Sequence, residues 1–159
     1  MIKEDLGIKE EYFQLSKSIM KTLLDGSQLP KSKMVVTICG ESGSGKFVTA
    51  MCLVKTLQEK GFNAIVLNQD GFFHLPPMEN SAKRNSEISW VGPQEVDLES
   101  MQSVIDDFKN GKSVLNIRIV DYRENEISEE QLNVNDIDVL VVEGTYAFLL
   151  EGTDTKIFI

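Results

Sequence analysis

Apolar residues fall along this chain in two rhythms. Near the start, Tyr12, Leu15, Ile19 and Leu23 recur at helical spacing, and Phe13, Met20 and Leu24 widen the stripe. This predicts an amphipathic helix over about 8–25, stopped by Asp25-Gly26-Ser27 and kept from restarting by Pro30. From about residue 33 a second rhythm begins, in which short apolar runs alternate with helical stripes. Segments 34–39 (MVVTIC), 63–68 (NAIVLN) and 137–142 (IDVLVV) read as strands buried on both faces. Helices are predicted over 47–60, with Met51, Val54 and Leu57 or Leu53 inward and Gly61 as the cap. A further helix is predicted over 97–110, with Leu98, Met101, Val104, Ile105 and Phe108 inward and Gly111 closing it. Between these, 75–92 carries two adjacent prolines and Trp90 and reads as a loop over a cleft. Segments 113–120 and 121–128 read either as a hairpin or as one strand with an acidic loop, and 155–159 begins another strand.

Strands that are apolar throughout and alternate with helices define an α/β fold, a mostly parallel sheet flanked by helices. At 159 residues the chain suits one domain spanning 1–159, with a core from about 33. Hydrophobic residues at 42% and charged residues at 26% fit a water-soluble globular protein. The net charge of -9 argues against broad nucleic-acid binding. No apolar run approaches the roughly 20 residues of a membrane helix, and residues 1–5 do not begin a signal peptide. Cys39 and Cys52 both lie inside apolar segments and read as buried thiols, which suits the cytoplasm.

The first chemistry lies at 40–47, GESGSGKF. Here Gly40, Glu41, Ser42, Gly43, Ser44, Gly45 and Lys46 match the phosphate-binding pattern G-x-x-x-x-G-K-[ST] between a buried strand and a helix. The glycines allow the backbone to approach phosphate oxygens, the helix through Phe47 and Val48 adds its positive dipole end, and Lys46 adds a full charge. Phe47 stands where the pattern asks for a hydroxyl that holds magnesium. Thr49, about 200° around the helix from Phe47, cannot replace it. The phenyl ring either intrudes near the metal position or turns away to pack on the core.

Two carboxylates follow strand ends. Glu143 ends IDVLVV in the position of an acid that acts on magnesium, and Asp70 follows NAIVLN. In an open α/β sheet both would overhang the same carboxyl edge as the glycine loop.

Taken in order, GESGSGK, LNQDGFFH, VDLESM…FKNGKSV…IRIVDY and DVLVVEGTYAF…KIFI resemble the uridine kinase and phosphoribulokinase family from about Lys33 onward. The resemblance implies a P-loop kinase-like fold and transfer of the γ-phosphoryl of ATP, or another nucleoside triphosphate, to a hydroxyl of a small molecule. It implies Asp70 as catalytic base, Lys46 and the loop as phosphate cradle, Glu143 as the acid at a Mg2+ site, and 112–127 as a hairpin over the acceptor. Phe73, His74, Asp121 and Tyr122 would then lie at the acceptor pocket. The implied partners are the nucleotide and a small hydroxyl-bearing substrate, without nucleic acid or membrane; a homo-oligomer stays open.

The departures bear on the acceptor. Family members usually read D-x-F-Y where this chain has Asp70-Gly71-Phe72-Phe73, and F-D-H-P where it has Trp90-Val91-Gly92-Pro93. Those differences weaken uridine as the acceptor. The family's arginine-rich lid and final strand are not in the sequence, which is expected to stop before them. His74 reads as an acceptor contact or a plain loop residue, Trp90 as a core cap or a stacking platform, and Arg84 and Arg123 as loop arginines within reach of a phosphate, though nothing in their spacing demands it. Two readings follow: a small-molecule kinase impaired by Phe47 and the missing lid, or a non-catalytic nucleotide-binding module. A pantothenate kinase-like enzyme is a further alternative.

Overall fold

The computed structural model describes residues 8–24 and 33–159. In chain order these form α1 (Glu10–Leu24), β1 (Met34–Cys39), α2 (Lys46–Glu59), β2 (Ala64–Asn68), α3 (Pro77–Ser86) and α4 (Leu98–Lys109). Then follow β3 (Val114–Asp121), β4 (Glu126–Asn133), β5 (Val139–Glu143) and β6 (Thr155–Phe158). The stop signals expected at 25–27 and at Pro30 lie outside the described residues.

Four strands form one parallel sheet in the order β2-β5-β1-β6. Its central strands are apolar at nearly every position because each face carries its own core. Val35, Leu140 and Val142 point to α4, where Met101, Ile105 and Phe108 are fully buried. Val36, Ile38, Val139 and Val141 point the other way, to Leu53 and Leu57 of α2 and Ile19 and Met20 of α1. This is the burial that a continuous apolar strand predicts. Cys39 and Cys52 are both buried, and neither is in a disulfide.

Three expectations shift. In α1 the buried residues are Phe13, Ser16, Ile19 and Met20, while Leu15 is exposed. In α2 the buried set is Thr49, Ala50, Cys52, Leu53, Thr56 and Leu57, so Met51 and Val54 stand only half inward. Both corrections have one cause: α1 lies on α2, and Ser16 Oγ donates to the Thr49 carbonyl at 3.3 Å, so α2 is covered from two directions. The third concerns 75–92, which contains α3 rather than a plain loop. Pro77 occupies the first turn of α3, where a missing N–H costs nothing, and only Asn80 of this helix is buried. A helix without an apolar stripe gives periodicity nothing to detect.

The 113–128 region resolves as a hairpin, with β3 paired antiparallel to β4 and Asn125 at φ 54 in its turn. It approaches the turn after β2 closely: a Cβ on Gly71 would stand 2.1 Å from the Arg118 carbonyl. Lys33 pins the loop that returns from the hairpin to β5. Its Nζ donates to the carbonyls of Val134, Asn135 and Ile137 at 2.6, 3.0 and 2.7 Å. Replacing it by methionine keeps the apolar stem and leaves those acceptors without their charged donor. Lys33→Met is expected to lower unfolding stability by about 2 kcal/mol in urea titration; an unchanged midpoint would show the clamp to be idle.

Candidate active site

Parallel register brings the expected groups to one edge. Glu143 pairs with Ile38 on one side and with Asn68 on the other, so β1, β5 and β2 end nearly flush. The chain leaves them as the glycine loop, the Glu143-Gly144 turn and the 3-10 turn Gln69–Phe72. Asn68 caps that turn, accepting from the Asp70 N–H at 2.6 Å. Gln69 is buried and accepts from the Tyr146 N–H at 2.8 Å, which ties the end of β2 to the segment after β5.

These segments border a cleft of about 960 Å³. Ser42, Gly43, Gly45, Lys46, Phe47 and Val48 line it from the loop and α2, together with Asp70, Phe73, Tyr122 and Glu143. Gly40, Glu41 and Ser44 shape the loop without lining the cleft. His74 and Asp121, expected at the acceptor pocket, do not line it either. His74 is exposed and its backbone N–H donates to the Glu95 carbonyl, while Asp121 accepts from the Arg123 and Glu124 N–H groups of the hairpin turn. Trp90 lies outside as well, donating to Asn80 with Lys83 Nζ 3.6 Å from its ring centroid.

The loop is held from below. Gly45 has φ 86, and a Cβ there would meet the Tyr12 ring at 2.7 Å, so glycine is required both for conformation and for space. Lys46 Nζ donates to the Glu41 carbonyl at 2.7 Å, which uses one of its three N–H groups. Ser44 Oγ is buried beside Gly40, away from the cleft, without a hydrogen-bond partner among the described residues. Phe47 does not pack on the core: it is 49% exposed and borders the cleft.

The acids behave differently from each other. Glu143 is 4% exposed, and burial, reinforced by the charge of Asp70 and opposed by Lys46, pushes its carboxyl up to about 7. The Tyr122 hydroxyl donates to Asp70 Oδ2; burial first, then this bond and the Asp70 charge, raise the Tyr122 phenol well above its ordinary value. A magnesium ion carried by a nucleotide takes one or two protein carboxylates, with phosphates and waters completing its shell. Glu143 fits that need, since a buried acid crowded by the Asp70 charge is relieved by a cation. The loop hydroxyl that would join it is absent at Phe47.

Sequence reasoning missed Asn68, Gln69, Asn80, Glu95, Thr145 and Tyr146, and it took Arg84, which lies on α3, for a loop arginine within reach of a phosphate. Gln69 and Asn68 sit next to Asp70 at a strand end, which is a usable signal. Asn80 and Glu95 sit on short irregular turns and a polar helix, where spacing carries none.

The parallel sheet, the strand-to-helix glycine loop and the acids at the strand ends define a P-loop kinase fold. The family model described as Phosphoribulokinase / Uridine kinase family matches residues 35–158, and the chain belongs to that family. A uridine kinase of Ureaplasma parvum is 29% identical over 133 residues, covering 81% of this chain and 63% of that protein. A bifunctional alpha-galactosidase/sucrose kinase of Mediterraneibacter gnavus is 27% identical, with 81% of this chain matched to 15% of its length. The solved structure of a possible uridine kinase from Bacillus stearothermophilus superposes with TM-score 0.71 at 21% identity, covering 93% of this chain and 79% of that one. The chain thus spans less than two thirds of the length of the uridine kinase it matches. Among the described residues no helix is long and apolar enough to cross a membrane.

The burial of Glu143 has a measurable cost. Its carboxyl releases its proton near 4.5 in the unfolded chain and near 7 in the folded one, so the folded state binds more protons in that window. Stability of the nucleotide-free chain therefore falls as pH rises from about 4.5 to 7. Glu143→Gln is expected to flatten that slope and to exceed the parent by roughly 1–3 kcal/mol at pH 8, read from urea unfolding at pH 5 and pH 8. A parent chain as stable at pH 8 as at pH 5 contradicts this.

Proposed function

We propose that this chain is the nucleotide-binding part of a small-molecule kinase that moves the γ-phosphoryl of ATP to an acceptor hydroxyl. The observation that carries the reading is the flush edge, where Lys46, Asp70 and Glu143 border one cleft from three strand ends. In this reading the loop N–H groups and Lys46 hold the β- and γ-phosphates. Asp70 accepts the proton of the acceptor hydroxyl as its oxygen bonds to the γ-phosphorus; the bond to the bridging oxygen breaks, and ADP leaves. Tyr122, donating to Asp70, fixes which carboxylate oxygen faces the acceptor. Glu143 would hold Mg2+, which neutralises phosphate charge when bound. Relatives named as uridine kinase and sucrose kinase support a neutral hydroxyl-bearing acceptor. Two buried cysteines outside any disulfide support a cytoplasmic setting.

Phe47, half exposed at the cleft, also favours a second reading in which the chain binds nucleotide without transferring phosphate. Titration of ATP with and without magnesium, in the parent and in Phe47→Ser, separates the two. The kinase reading expects serine to restore magnesium-dependent tightening of about tenfold, equivalent to about 1.4 kcal/mol. Absence of nucleotide binding in both forms would sink both readings. Where turnover is measurable, Asp70→Asn is expected to lower it by about 10²–10⁴ with ATP affinity nearly kept; undiminished turnover removes the base assignment.

A further inference from the structure

Another part of the cleft wall holds a charged network that no motif announces. Glu95 ends the 3-10 turn Pro93–Glu95 and is fully buried. Its Oε2 accepts from Arg84 Nε at 2.5 Å and from Asn80 Nδ2 at 3.0 Å. Its Oε1 accepts from the Gly92 N–H at 3.1 Å and from the Tyr146 hydroxyl at 3.2 Å. A carboxylate offers about four lone-pair sites, and here each has a donor. Burial works against this charge, but the bonds from Arg84, Asn80 and Gly92 outweigh it and hold the carboxyl below its ordinary range. Glu95 therefore has no capacity left for a substrate proton or hydroxyl. Asn80 is similarly committed, with its carbonyl accepting from Trp90 Nε1 at 2.8 Å.

Arg84 is not committed. Among the described residues only its Nε is engaged, so the other four N–H groups of its planar fork remain. Its side chain is 41% exposed, its guanidinium lies 5.3 Å from the Phe73 ring centroid, and it lines the same cleft as Asp70. Lys46 is the other cation lining that cleft among the described residues, and it belongs to the phosphate loop.

The geometry points to Arg84 as the residue that grips the phosphoryl acceptor and to Glu95 as the positioning residue that aims it, with a neutral, polyhydroxylated acceptor as the ligand. This rests on the phosphotransfer reading above. Charge decides the class. Arg84 is already neutralised by Glu95 and Lys46 belongs to the phosphate loop, so the charge left uncompensated in this part of the cleft is the Asp70 carboxylate. An anionic acceptor would add like charge beside Asp70. Hydroxyl oxygens accept charge-assisted bonds from the guanidinium without that repulsion, and Phe73, Val120 and Tyr146 supply apolar surface for the carbon skeleton.

Saturation-transfer NMR on the ATP-loaded chain tests this, with D-fructose and uridine as neutral probes and D-glycerate as an anionic one. ATP affinity is measured separately by calorimetry. A neutral probe is expected to bind and D-glycerate not. Arg84→Gln should weaken the neutral probe at least about tenfold, and Arg84→Lys, which keeps charge but loses the fork, should weaken it too. Glu95→Gln should weaken it comparably in the parent and add nothing in the Arg84→Gln background, a non-additivity that a merely structural role would not produce. ATP affinity should stay within about twofold throughout. Equal binding of the neutral probe by Arg84→Gln, preference for D-glycerate, or no neutral binding by a chain that binds ATP would overturn the inference. An additive effect of Glu95→Gln removes its positioning role. If Glu95→Gln does not fold, the half-exposed Arg84 variants carry the test. Failure of the parent to bind ATP would instead overturn the phosphotransfer reading itself.

Discussion

Everything at the site depends on parallel pairing of β5 with its two neighbours. Val139 to Glu143 is buried at all five positions, and its last residue is in register with Ile38 and Asn68. Because side chains alternate with period two, a slip of one residue would exchange the two hydrophobic faces and misalign the strand ends together. The cores on the two faces thus protect the register, and the register places the loop, Asp70 and Glu143 along one edge. Packing and chemistry are linked through that single alignment.

The same edge concentrates uncompensated polar groups. Glu143 is buried next to another carboxylate, Ser44 Oγ lacks a partner, and Lys46 folds back on its own loop. The buried carboxyl and the buried hydroxyl without a partner each cost stability at this edge. Helix α1 stiffens this arrangement through Tyr12, which sits where a side chain at Gly45 would have to go. Phe47 leaves that scaffold intact, since its ring is turned outward toward the cleft; what it replaces is the hydroxyl that the phosphate-loop pattern has at that position.

The strongly periodic elements could be read without coordinates. Apolar strands covered on both faces, a glycine loop between strand and helix, and acids at strand ends are each dictated by local chemistry. The inward faces of α1 and α2 were less legible, because a helix packed on another helix as well as on a sheet buries polar positions such as Ser16 and Thr49. Helix α3 was invisible because Asn80 is its only buried residue, and its prolines act as a start rather than a break. Glu95 escaped for a related reason: its four donors are two residues of α3, the nearby Gly92 N–H and the distant Tyr146, and sequence spacing does not encode such convergence.

The central claim is that the flush strand ends form a triphosphate cradle, and its most direct measurement compares ATP, ADP and adenosine binding by calorimetry in the parent and in Lys46→Met. The account predicts ATP tighter than adenosine by at least about tenfold, with Lys46→Met erasing most of that difference. Equal affinity for ATP and adenosine, or an advantage for ATP that survives loss of Lys46, would contradict it.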